Sequence, residues 1–84
     1  MNYTVLWDPD VEQVLAELWM NAPDRQAVTA AAARIDQLLR TDPEQKGESR
    51  SDGRRILLTA PLGILFRVFE EDRIVRVLQV WHFA

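Results

Sequence analysis

The chain has 84 residues, 48% of them hydrophobic and 27% charged, with three Gly, four Pro and no Cys. That is the composition of one soluble domain spanning residues 1–84, near the size at which a single core suffices, and it excludes a disulfide framework, a thiolate metal site and a cysteine nucleophile. A formal net charge of −3 argues against non-specific nucleic-acid binding over the whole surface and confines any such contact to a local group of arginines.

The charge is unevenly spread. Residues 1–45 hold three Arg against eight Asp/Glu, whereas residues 46–84 hold Lys46 and six Arg against five Asp/Glu. One histidine without a Cys partner does not suggest zinc, so no cofactor or metal is expected. The opening "MNYTVLWDPD" has neither a basic n-region nor an apolar h-region, and no run is long enough to cross a bilayer, so the expected compartment is cytoplasmic.

In chain order, "YTVLW" is a β-branched and aromatic run that reads as a first strand. Asp8 and Pro9 then form an N-cap and N1 pair, and Val11, Val14, Leu15, Leu18 and Trp19 follow at helical spacing as one apolar stripe. "NAP" breaks this helix, and Pro23 with Asp24 opens a second, whose stripe is Val28, Ala31, Ala32, Ile35, Leu38 and Leu39. The short break predicts an antiparallel helical hairpin. "TDPEQKGESRSDG" has no period and reads as a loop. Three strand-like runs follow, "RRILLTA", "ILFRVFE" and "RIVRVLQVWHF", separated by Pro61-Leu62-Gly63 and by Glu70-Glu71-Asp72, which predicts an antiparallel meander.

The resulting fold class is α+β with the order β-α-α-β-β-β: a helical hairpin packed on one face of a small, mostly antiparallel four-stranded sheet. Side chains alternate across a strand, so polar positions of the meander belong on the uncovered face. Parity places Arg67 with Leu65 and Phe69, and Arg76 with Leu78, Val80 and His82, so Arg67, Arg76 and His82 are expected together on that face. A bulge in the long last strand would flip part of it. The apolar side chains that share the face imply either a second small core or a covering partner.

The order of elements, the opening "YTVLW", the hairpin joined by "NAPDRQAV", the loop from Pro43 to Gly47 and the block "GRRILLTAPLGILFRVFEEDRIVRVLQVWHF" together resemble the RelE/ParE superfamily of bacterial type II toxins. The resemblance runs over essentially the whole chain. It implies a small cytoplasmic protein neutralised by a cognate antitoxin, in one branch cleaving mRNA on the ribosome and in the other inhibiting DNA gyrase. For the ribonuclease branch it implies a catalytic role for His82 and RNA-phosphate contacts from Arg50, Arg54 and Arg55; strand parity adds Arg67 as a catalytic candidate beside His82 and Arg76 as a further phosphate contact. The sequence departs from that pattern at two positions. The family's catalytic arginine corresponds to Gly63, and its terminal tyrosine to Phe83, which has no hydroxyl. Arg67 has the parity of Gly63 but stands four residues along, about 13 Å at strand rise.

Metal-free RNA cleavage needs a base for the 2′-hydroxyl, an acid for the leaving oxygen and cations against the phosphorane-like transition state. The resemblance therefore supports a toxin that cleaves mRNA as a metal-independent endoribonuclease. The alternatives are a gyrase inhibitor without catalytic residues and a non-toxic binding module. Partners expected on this reading are the antitoxin, the ribosome with mRNA or gyrase, and no membrane; homodimer and toxin–antitoxin hetero-oligomer are both open.

Overall fold

A computed structural model describes residues 2–83. Its elements are β1 (Thr4–Trp7), α1 (Pro9–Asn21), α2 (Arg25–Leu39), β2 (Glu48–Ser49), β3 (Arg54–Thr59), β4 (Leu62–Phe69) and β5 (Ile74–His82), with single 3₁₀ turns at Pro43–Gln45 and Ser51–Gly53. They form the expected α+β arrangement, but the sheet has five strands, ordered β1-β5-β4-β3-β2. The additional strand is the two-residue β2, inside the polar stretch read as loop, where Glu48 pairs with Ile56 and Ser49 with Arg55. Gly47 makes this turn possible: its φ is +67°, and a Cβ there would run into the carbonyl of Ile56.

The helices begin where the chain dictates. Pro9 supplies the first residue of α1, and at α2 the Asp24 carboxylate accepts from the Ala27 amide at 3.1 Å. Asp8 precedes α1 but makes no side-chain cap; its carboxylate is used elsewhere, as described below. α1 stops because Ala22 is extended ahead of Pro23. Trp19 Nε1 donates to Thr29 Oγ1 at 3.1 Å, and the Arg25 guanidinium lies 4.8 Å from the Trp19 ring centre, so the hairpin is tied across its outer side.

Both helices cover one sheet face. Val11 from α1 and Val28, Ala31, Ile35 and Leu39 from α2 meet Leu62, Ile64, Phe66, Val75, Val77 and Val80 in one core. β1 runs parallel to β5, and the other strand pairs are antiparallel. The register of β4 with β5 slips once: Phe66 faces Val77 but Leu65 faces Gln79, so Leu78 is an extra residue, a β-bulge. No helix among the described residues is long and apolar enough to cross a membrane.

Away from the core, Tyr3, Glu44 and Glu70 link the N-terminus, the turn after α2 and the β4–β5 turn. Tyr3 donates to Glu44 Oε1 at 3.0 Å. A hydrogen bond shared with Glu44, and that carboxylate's charge, hold the Glu70 pKa above the ordinary carboxylate value. The native state therefore binds this proton more tightly than the unfolded chain does. Its contribution to stability is complete below the ordinary carboxylate pKa and is lost as pH rises through the higher native value. Substituting Glu70→Gln should flatten the fall in melting temperature between pH 4 and 7, as read by circular dichroism melts of both proteins.

Candidate functional site: an arginine row on the open sheet face

The uncovered face carries three arginines in register. Arg54 on β3 pairs with Arg67 on β4, and Arg67 with Arg76 on β5. Directly opposed residues point to the same side, so three guanidinium groups line up across adjacent strands at about 5 Å spacing between chains. Leu6 of β1, 44% exposed, ends the row.

Opposed like charges destabilise a sheet unless something compensates them. Compensation here is confined to the ends. Arg76 makes a two-pronged contact with Asp8, Nε to Oδ1 at 3.1 Å and Nη2 to both carboxylate oxygens at 2.9 Å. Arg54 Nη2 lies 3.6 Å from Asp52 Oδ2, while Arg54 Nε is buried with no hydrogen-bond partner. The central Arg67 is exposed and meets no carboxylate among the described residues. Its guanidinium lies 5.9 Å from the Phe69 ring centre and beside Gly53, where a Cβ would come within 3.8 Å of Nη2. Such a row, neutralised at its ends and open at its centre, suits an anion with several oxygen acceptors.

The bulge at Leu78 changes what stands beside the arginines. Parity alone placed His82 with Arg67 and Arg76, but beyond the bulge Val80 pairs with Ile64 and His82 with Leu62, both core-facing residues. His82 therefore lies at the rim of the covered face, lining a cavity of about 340 Å³ with Val14, Leu18 and Pro23. In exchange, Gln79 and Trp81 turn to the open face, opposite Leu65 and Gly63. Phe83 is 47% exposed beyond the strand, its amide donating to the Pro61 carbonyl at 2.9 Å.

The remaining basic residues divide. Arg55 pairs with Phe66 and so belongs to the covered side, where its Nε donates to the Lys46 carbonyl at 2.8 Å and its Nη2 to that of Gly47 at 3.1 Å. It secures the β2–β3 loop and does not join the row. Arg50 sits on that loop at the Arg54 end, 3.8 Å from Glu48, with Nη1 on its neighbour's carbonyl. Sequence reasoning missed Asp8, Asp52 and Trp81. The pairing of Asp8 with Arg76 spans 68 positions and has no local signature.

Gly63, where the resemblance implies an arginine, is covered. A Cβ built on it would sit 2.5 Å from Cε2 and Nε1 of Trp81. Glycine is needed here so that the indole can lie on the backbone. Gly63→Ala should cost about 1–3 kcal/mol through overpacking, and most of that cost should vanish in a Trp81→Ala background, a coupling that denaturant titrations of the four proteins will measure.

No protein-family model and no curated protein matches the chain. Solved structures do. The chain superposes on the RelBE2 toxin–antitoxin complex of Mycobacterium tuberculosis with a TM-score of 0.79 at 22% identity, over 100% of this chain and 94% of that one. A free-state mutant of the Escherichia coli toxin RelE gives 0.73 at 14% identity, over 98% and 84%. The ParDE system of Pseudomonas aeruginosa gives 0.65 at 17%, over 98% and 97%. This chain has the fold shared by the RelE and ParE toxins.

Proposed function

We propose that this chain is the toxin of a type II toxin–antitoxin pair, that it arrests growth by acting on mRNA at the ribosome, and that its open face holds the RNA backbone. The fold shared with RelE and ParE proteins supports the toxin reading, and the single observation that carries the RNA reading is the register-matched row Arg54–Arg67–Arg76 with its centre unneutralised. A row of guanidinium groups binds phosphate oxygens and stabilises the added negative charge of a phosphorane-like transition state. With His82 across the sheet, water takes the proton of the attacking 2′-hydroxyl and returns one to the leaving 5′-oxygen, and acceleration of strand scission rests on the electrostatic contribution of the row and on orientation of the 2′-hydroxyl. The partner that silences it is an antitoxin, as in the RelBE2 complex of similar fold; an anionic segment laid over the row would neutralise it. No cofactor is required, and the cytoplasm is where such a target lies.

One observation favours the ParE-like alternative, in which the protein binds gyrase and does no chemistry. The carboxylates at the row are Asp8 and Asp52, both ion-paired, and the position of the catalytic arginine is Gly63 under Trp81. Induction of the protein in a bacterial host separates the two: our reading expects labelled amino-acid incorporation to collapse while plasmid supercoiling is kept. Loss of supercoiling with continued translation would establish the alternative instead.

A further inference from the structure

The bulge does more than move His82; it brings an aromatic side chain onto the face that holds the arginines. Leu58, Gly63 and Trp81 pair across β3, β4 and β5 just as Arg54, Arg67 and Arg76 do. Because Gly63 has no side chain, the indole lies down on the sheet instead of standing off it. Leu58, at 57% exposed, stands on the far side of Gly63, and Trp81 is half-buried. The result is a low apolar plate about 13 Å from the arginine row at strand rise, with exposed Gln79 between the two.

A tryptophan with no protein acceptor for its indole N–H leaves that donor to solvent or to a ligand. In α1, Trp19 donates to Thr29, but none of the described residues accepts from Trp81 Nε1. The plate thus offers a π-surface and a spare donor within reach of a strand held by the row. Positive charge that tracks a backbone beside an aromatic surface that takes bases is the composition of a single-strand binding groove. Long arginine side chains and a short run of extended nucleotides readily bridge the distance between them.

We propose that Trp81 is a base-stacking residue: single-stranded RNA whose phosphates lie on Arg54, Arg67 and Arg76 lays a base against the indole over Gly63. This rests on the RNA reading of the open face. Stacking on one aromatic side chain changes affinity by roughly tenfold and is tolerant of base identity, so Trp81 contributes grip and register rather than sequence choice.

The test is a titration of the whole protein with an unstructured hexaribonucleotide at low salt, read through the indole N–H signals in ¹⁵N-correlated NMR spectra. Single Trp7→Phe and Trp19→Phe variants assign the three signals by elimination. The Trp81 signal should move in a saturable way while those of Trp7 and Trp19 stay. Trp81→Leu should bind roughly tenfold more weakly, Trp81→Phe should restore most of the affinity, and neither should change the salt dependence. Arg67→Ala should weaken binding and lower the salt slope by about one. Salt-dependent binding with a stationary Trp81 signal would overturn the stacking proposal and leave the RNA reading intact. Absence of hexamer binding to the wild type overturns both. Where Trp81→Leu fails to fold, the wild-type signal alone decides.

Discussion

Arg67→Ala should abolish growth arrest on induction while leaving the protein at least as stable as the wild type. The functional part follows from position: Arg67 is the centre of the row, the member without a carboxylate and hence the guanidinium group most available to an incoming phosphate. Losing such a contact at a transition state that gathers charge costs on the order of a hundredfold in rate. The stability part follows from the same geometry. Arg67 opposes two like charges, each such pairing costing about 0.2–1 kcal/mol, and its removal opens no cavity because the side chain is exposed. A variant that loses toxicity and keeps or raises its melting temperature is the signature of a residue held for function against stability. His82→Ala serves as the internal contrast. On the opposite face, it should leave arrest within about twofold of wild type, which a viable-count time course after induction will show.

The largest stability effect is expected at Phe66. It is fully buried, faces Val77 across the sheet and belongs to the cluster that receives Val28, Ile35 and Leu39 from α2. Phe66→Ala removes the ring and leaves a cavity that a small two-layer core cannot close, at a cost of about 3–5 kcal/mol. For a domain whose whole stability is on the order of 5–15 kcal/mol, that is enough to leave a large unfolded fraction at 37 °C. Equilibrium urea unfolding should give a lowered midpoint with an unchanged slope. The neighbouring exposed residue, Arg67, should by contrast shift the midpoint little, which makes this adjacent pair a direct check on which way the strand faces.

Much of the fold is legible because the chain changes period cleanly. Val11, Leu15 and Leu18 on α1 and Val28, Ala31, Ile35 and Leu39 on α2 each mark the face turned to the core, while Val14 and Trp19 of the α1 stripe stand 41% and 40% exposed at its edge, and Pro23 with Asp24 marks the break between the helices. β2 was not legible. Two polar residues paired through their backbone to β3 leave no periodic trace, and the strand exists because Gly47 lets the loop approach Ile56.

The site was half legible for a related reason. Parity gives the facing of Arg67 within β4, but alignment with Arg54 and Arg76 is a matter of register, which the turns at Ala60-Pro61 and at Glu70 to Arg73 set. The bulge did leave a trace. Core-facing Val75, Val77 and Val80 step by two and then by three, and exposed Gln79 breaks an alternation that would have buried it. Following those valines, rather than strict alternation, puts His82 on the covered side and Trp81 on the open one. The departure at Gly63 then has a physical reason: it is the floor on which Trp81 rests.

The most direct measurement adds purified protein to a cell-free bacterial translation reaction programmed with a 5′-labelled message, with and without ribosomes. The account predicts cleavage of the message only when ribosomes are present, retained by His82→Ala and lost in Arg67→Ala. An intact message and undiminished translation with the wild-type protein would contradict it.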